Sequence, residues 1–221
     1  MSLLIPLSFS LKEPKRHKLI LKRGYLIELL KILKFSLFKN KKIRWLIIYS
    51  AVIVGFNSAA LWLYQPYFKL SGLDIAYFGI VFAAFNIVAA ISSKYAHKIE
   101  EKIGPKYSLF MLVVLVGVSY FLMSNFVYLF SFSFAFLQQF VRGFSKPVIT
   151  DYINKLISSD IRATVLSVQS LVGKLFYAAI IPFIGWFADV YSLTQALALL
   201  SITTFVAGFL ILIILYKEKV L

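Results

Sequence analysis

Long uncharged stretches separated by short basic ones run through most of this chain, and they predict helices that cross a bilayer. Residues 45–68 carry no charge and lie between Arg44 and Lys69; residues 75–93 carry none between Asp74 and Lys94. Residues 107–141 are also uncharged, too long for one helix, and interrupted by Ser124-Asn125. A break there predicts spans over 107–123 and 126–149, the second taking Arg142 and Lys146 into its inner part. Residues 163–188 are apolar apart from Lys174, and residues 191–216 follow up to Lys217. A bilayer core takes about 20 apolar residues per helix, so the pattern predicts six transmembrane helices.

Composition excludes the alternative of a soluble domain. Hydrophobic residues make up 61% of the 221 positions and charged ones 15%, against about 45–50% and about 25% in soluble domains. The mean hydropathy is +0.85. Twenty-two Phe and thirteen Tyr add aromatic bulk suited to lipid and headgroup contact. The net charge of +15, from 24 basic and nine acidic residues, would suggest nucleic acid in a soluble protein. Here the basic residues cluster at Lys12–Arg44, Lys94–Lys106, Arg142–Arg162 and the chain end. With six spans, all but Lys69 and Lys174 fall on one side. The positive-inside rule then predicts a multi-pass protein of the cell membrane with both termini cytoplasmic, and no nucleic-acid partner.

The chain divides into a basic cytoplasmic segment, residues 1–43, and a transmembrane domain, residues 44–221. Residues 1–10 are too short to span and lack a basic leader. Residues 24–38 place Leu26, Leu29, Leu30 and Leu33 on one helical face, away from Lys31 and Lys34. That predicts an amphipathic helix on the inner leaflet, where each basic residue gains roughly 1 kcal/mol from anionic lipid, or else a solvated linker helix.

Polar side chains inside hydrocarbon are costly and normally face protein or a water-filled cavity. The first span carries Ser50, Asn57 and Tyr64 at intervals of seven, with Gln65 beside them, and the second carries Asn86. The fourth carries Ser131, Gln138, Gln139, Arg142 and Lys146; the fifth carries Ser167, Ser170, Lys174 and Tyr177. The third and sixth carry nothing stronger than Ser, Thr or one Tyr along their bodies. The order polar, polar, apolar therefore occurs twice, which predicts two inverted three-helix repeats around a shared cavity. Hydrogen bonds that merely hold helices together are the alternative, at about 0.6 kcal/mol each.

Lys174 is the sharpest position. An ammonium at bilayer depth costs about 3 kcal/mol on insertion scales, and no acidic residue lies in any of the six spans. It calls for hydration in a cavity, an acid from another chain, or an anionic solute. Arg142 could reach Asp151 or the cytoplasmic headgroups, and Pro66, Pro147 and Pro182 sit in polar helices, where kinks support gating.

Several motifs resemble the carboxy-terminal half of a major facilitator superfamily transporter. The run Pro6-Leu7-Ser8-Phe9-Ser10-Leu11-Lys12-Glu13-Pro14 looks like the end of that family's sixth helix running into its central loop. Residues 96–106 (AHKIEEKIGPK) are similar to its cytoplasmic motif G-x-x-x-D-R-x-G-R-R, with Glu101, Lys102, Gly104 and Lys106 at matching places. His97 stands for the first glycine and Pro105 for an arginine. Arg142-Gly143 through Pro147, then Asp151, Asn154, Arg162 and Ser167, look like its tenth-to-eleventh helix region. The resemblance implies an all-α fold whose spans are helices seven to twelve, the third and sixth being peripheral.

It also implies secondary transport of a small solute, anionic if Lys174 binds it, by alternating access, with a general resemblance to drug and metabolite exporters that implies efflux. Asn57, Asn86, Gln138, Arg142 and Lys174 are the candidate contacts along the path, and Glu101, Lys102, Gly104 and Lys106 the gating loop. A second six-helix half or a homodimer is the expected partner, in a lipid bilayer. The competing reading is a non-transporting or partner-dependent half from a truncated or split gene. An enzyme is not expected: His17 and His97 lie in basic stretches, there is no HExxH, GxSxG or GxxxxGK[ST] motif, and the absence of cysteine removes thiolate chemistry. No catalytic residue, metal or cofactor is therefore expected. No filter-like TVGYG or acidic ring suggests a channel.

Overall fold

A computed structural model describes residues 31–218 and 220, and among these residues the chain is almost wholly helical, with no strand. Helix α1 is Lys41–Leu70, started by the Asn40 side chain, which accepts from the Ile43 amide at 3.2 Å. The long helical stretch Phe78–Asn125 is two helices, α2 (78–103) and α3 (105–125), that meet at Gly104. Gly104 has φ +77°, a left-handed value that L side chains resist, and Pro105 follows it at the favoured first position of α3. Then come α4 (Ala135–Asn154), α5 (Arg162–Val190) and α6 (Leu193–Lys217). The Ser192 side chain starts α6 by accepting from the Gln195 amide at 3.1 Å.

Among the described residues, Lys41–Leu70, Ile75–Asn125, Arg162–Val190 and Leu193–Lys217 are long and apolar enough to cross a membrane. At 20 residues α4 reaches about 30 Å, but Arg142, Lys146 and Asp151 dilute its apolar character. Large apolar side chains such as Trp62, Ile87, Phe121, Leu175, Trp186 and Leu210 are more than half exposed, as lipid-facing residues are.

Helix ends depart from the expected spans in two places. The span expected over 126–149 is corrected: the chain leaves helix after Asn125, forms a tight turn over Leu129–Phe134, and resumes as α4 only at Ala135. Local bonds hold that turn, the Ser131 hydroxyl donating to the Tyr128 carbonyl at 2.7 Å while the Tyr128 amide donates back to it at 3.3 Å. Hydropathy marks depth in a bilayer and misses such a break. Conversely, α2 runs about three turns past Ser93, through the basic stretch predicted as a loop. Ala, Lys, Glu and Ile propagate a helix as readily in water as in lipid, and His97 pairs with Glu101 one turn on, at 3.4 Å.

Of the amphipathic helix expected over 24–38, residues 24–30 lie outside the described part. The rest continues as one helical turn and the wider turn Phe35–Lys39, with Ile32, Leu33, Phe35 and Leu37 packed on the core and Lys31 and Lys34 exposed. The described apolar face therefore rests on protein.

Helices α2 and α4 pack closely, as do α3 and α6, while α1 crosses both pairs and also holds α5. Tyrosine hydroxyls pin α1 to its neighbours: Tyr49 donates to the Leu109 carbonyl and Tyr120 to that of Phe56, both at 2.6 Å. The α2–α4 contact depends on Gly143, where any Cβ would lie 2.0 Å from the Ala89 carbonyl oxygen. Helix α5 touches α4 only marginally.

Candidate functional site

Because α4 and α5 stand apart with α1 behind them, a cleft of about 850 Å³ opens between the two, within the range of small-molecule sites. From α1 come Ser50, Asn57, Ser58 and Tyr64; from α4, Gln139, Arg142, Ser145, Lys146 and Thr150; from α5, Ser167, Gln169, Ser170, Lys174 and Tyr177. Val54, Leu61 and Leu166 add apolar wall, and no residue of α3 or α6 reaches it. Bonds between α1 and α5 fix its back. The Gln169 amide donates to the Ser50 hydroxyl at 2.9 Å, and the Trp62 indole N–H donates to the Tyr177 hydroxyl. Midway, Phe56 meets Phe176 edge-on at 5.4 Å.

The electrostatics are one-sided. Arg142, Lys146 and Lys174 line the cleft, and neither Asp nor Glu does. Lys146 and Lys174 make no ion pair among the described residues. The Arg142 guanidinium donates to Asn86 Oδ1 at 2.9 Å. Asp151, one partner considered for Arg142, instead receives Lys155 at 2.6 Å, and this carboxylate holds the Lys155 ammonium above its usual value. Low dielectric walls sharpen such a field and concentrate counter-ions in it.

A chain of amides and a phenol lies toward the Tyr64 end. Gln139 Nε2 donates to the Tyr64 hydroxyl at 2.8 Å, and that hydroxyl donates to Gln138 Oε1 at 2.6 Å. Gln138 is fully buried behind Tyr64 and is not part of the lining. Asn57 is 7% exposed, and its Oδ1 has no hydrogen-bond donor.

Of the expected path residues, the structure places Asn57, Arg142 and Lys174 on one cleft, with Asn86 and Gln138 one hydrogen bond behind it. Helix α2 thus acts through Asn86 on Arg142 and lends no wall. The expected gating loop lies elsewhere, at the α2–α3 junction: Glu101 and Lys102 are exposed, and the Lys106 ammonium sits 5.1 Å from the Tyr216 ring. There the buried acid is Glu100, which accepts from the Tyr152 hydroxyl of α4 at 2.8 Å and ties α2 to α4. The sequence reading missed Ser58, Ser145, Thr150 and Gln169 of the lining, and Glu100 at the junction. Gln169 lies off the Ser167–Lys174 stripe, so helical spacing gave no reason to choose it. Glu100 is indistinguishable from Glu101 until burial separates them.

The sequence model described as Major Facilitator Superfamily matches residues 1–175 of the chain. No curated protein and no solved structure matches it.

Proposed function

Since the chain belongs to the major facilitator superfamily, whose members are multi-pass membrane transporters of small solutes rather than enzymes, we propose that it moves a small anionic solute by alternating access. The observation that carries this reading is the cleft itself: three cations and no carboxylate in a recess between α1, α4 and α5. A solute anion supplies the missing charge when bound and leaves when the cleft is hydrated from the other side. Arg142, Lys146 and Lys174 attract it, Asn86 orients Arg142, and Asn57 and Gln139 contact its remainder.

On this reading α1 to α6 are six spans in two inverted three-helix repeats, forming the carboxy-terminal half of the transporter. The α2–α3 junction, with Glu101, Lys102, Gly104 and Lys106, lies with both termini on the cytoplasmic side of the cell membrane. The cleft is unwalled where α4 and α5 diverge, and Leu171 and Leu175, next to the lining residues Ser170 and Lys174 of α5, are exposed. That favours a chain whose transport depends on a second six-helix body, either another half or a second copy.

Full-length chain reconstituted in proteoliposomes provides the test. Preloaded vesicles are expected to accumulate at least one labelled organic anion by counterflow, above protein-free vesicles, and to ignore labelled organic cations of similar size. Counterflow of cations with none of anions would reverse the assignment.

A further inference from the structure

We infer that the solute is a dianion with both charges on one oxyanion head group, the chemistry of a phosphate monoester, and that the Tyr177 hydroxyl binds it beside Arg142, Lys146 and Lys174. This rests on the anion-transport reading and adds the charge and form of the anion.

Contacts along α1 fix how deep each group sits. Gln139 of α4 bonds Tyr64, and Phe132, just before α4, meets Phe68 at 6.3 Å. Helix α4 therefore runs antiparallel to α1, and Lys146, seven residues on from Gln139, comes level with Asn57. On α5, Gln169 bonds Ser50 and Phe176 meets Phe56. Helix α5 therefore runs parallel to α1 and brings Lys174 level with Val54. The two lysines thus face the cleft from opposite helices within about one helical turn of depth, and Arg142 stands about 6 Å along α4 from Lys146.

Cations gathered at one depth act on one group of a bound solute. A single negative charge leaves two of the three uncompensated in a recess between membrane-spanning helices, where unbalanced charge is costly. A second charge on the same group leaves only one. A fourth donor stands beside them. An indole N–H can only donate, so the Tyr177 hydroxyl accepts in its bond with Trp62, and the phenol's own proton is left for another acceptor. Among the described residues nothing takes it, and Tyr177 lines the cleft one turn from Lys174. Ammonium, guanidinium and this hydroxyl are all donors, a set that an oxyanion with several equivalent oxygens satisfies. At about 850 Å³ the cleft is larger than such a group alone, and Val54, Leu61 and Leu166 wall the space for an esterified remainder.

Equilibrium binding to the full chain in lipid nanodiscs at pH 8, with empty discs subtracted, tests this with methyl phosphate and methyl sulfate. The two are tetrahedral esters of similar size, but the phosphate, with a second pKa of about 6, carries one more negative charge. Methyl phosphate is expected to bind at least tenfold more tightly. Tyr177→Phe is expected to weaken it at least threefold, whereas Trp62→Phe, which breaks the same bond but keeps the phenol, leaves it within twofold. Equal losses in the two variants would make the pair structural and overturn the role of Tyr177. Equal binding of the two esters by the unsubstituted chain overturns the dianion and leaves anion transport standing. Tighter binding of malonate, whose charges sit on separate groups, overturns the single head group. Binding of none of the three overturns the anion reading as well. Because the charge preference is read first on the unsubstituted chain, the test holds even if a variant fails to fold.

Discussion

Gly143→Ala is expected to cost roughly 3 kcal/mol of stability, although it adds a single methyl group. The new carbon would lie 2.0 Å from the Ala89 carbonyl oxygen, 2.8 Å from its carbon and 2.9 Å from Ser92 Cβ. Ordinary carbon–oxygen contacts lie near 3.3 Å or beyond, so relief needs more than 1 Å of separation. The obstacle is helix backbone, which cannot rotate away as a side chain would. Helices α2 and α4 must move apart, and two bonds between them lengthen together: Arg142 to Asn86, 2.9 Å, and Tyr152 to Glu100, 2.8 Å. Such a loss corresponds to about 6–12 °C in the unfolding midpoint of a chain this size. Thermal unfolding in detergent checks it against Gly79→Ala, where a Cβ meets nothing within 4 Å. Equal midpoints for the two variants would mean that α2 and α4 do not approach as described.

Lys174→Gln is expected to lower anion flux at least tenfold while leaving the unfolding midpoint unchanged or raised. Two unit charges 4 Å apart attract by about 4 kcal/mol at the effective dielectric of a protein surface. Hydration and the neighbouring Arg142 and Lys146 reduce the share of one lysine, yet about 1.4 kcal/mol already gives tenfold. Stability moves the other way because an ammonium facing no carboxylate opposes burial in a bilayer. A lysine kept for structure would have the reverse signature, with a lower midpoint and undiminished flux. Lys174→Arg keeps the charge and is expected to retain more flux than Lys174→Gln. Counterflow in proteoliposomes and unfolding of the same preparations read both quantities.

The positions that hydrophobic patterning can see are those where polarity is out of place. Lys174 and the Ser50, Asn57 and Tyr64 stripe were legible because lipid tolerates them only on an inward face, and all line the cleft. The apolar third and sixth helices were legible by the same logic, and they pack together away from the cleft. What patterning could not supply was partnership. Gln138 and Gln139 are neighbours of one type; the structure sets one behind Tyr64 and the other on the recess. Asn86 looked like wall and is the acceptor that holds Arg142. The break over 126–134 was hidden for a related reason: its Phe, Leu and Ser side chains are as apolar as a span, while hydroxyl-to-backbone bonds fold it into a turn.

The most direct test of a cationic cleft needs no knowledge of the solute. The chain has no cysteine, so Ser170→Cys, exposed on the cleft one turn from Lys174, provides a single thiol. Its modification by an anionic sulfonatoethyl methanethiosulfonate and by a cationic trimethylammonioethyl analogue is timed in proteoliposomes, each rate divided by that for a free thiol. Focused fields change local ion concentration by about tenfold or more. The normalised rate is therefore expected to favour the anionic reagent at least tenfold, and Lys174→Gln in the same chain to shrink that preference. Equal normalised rates, or faster reaction with the cationic reagent, would contradict an anion path through this cleft.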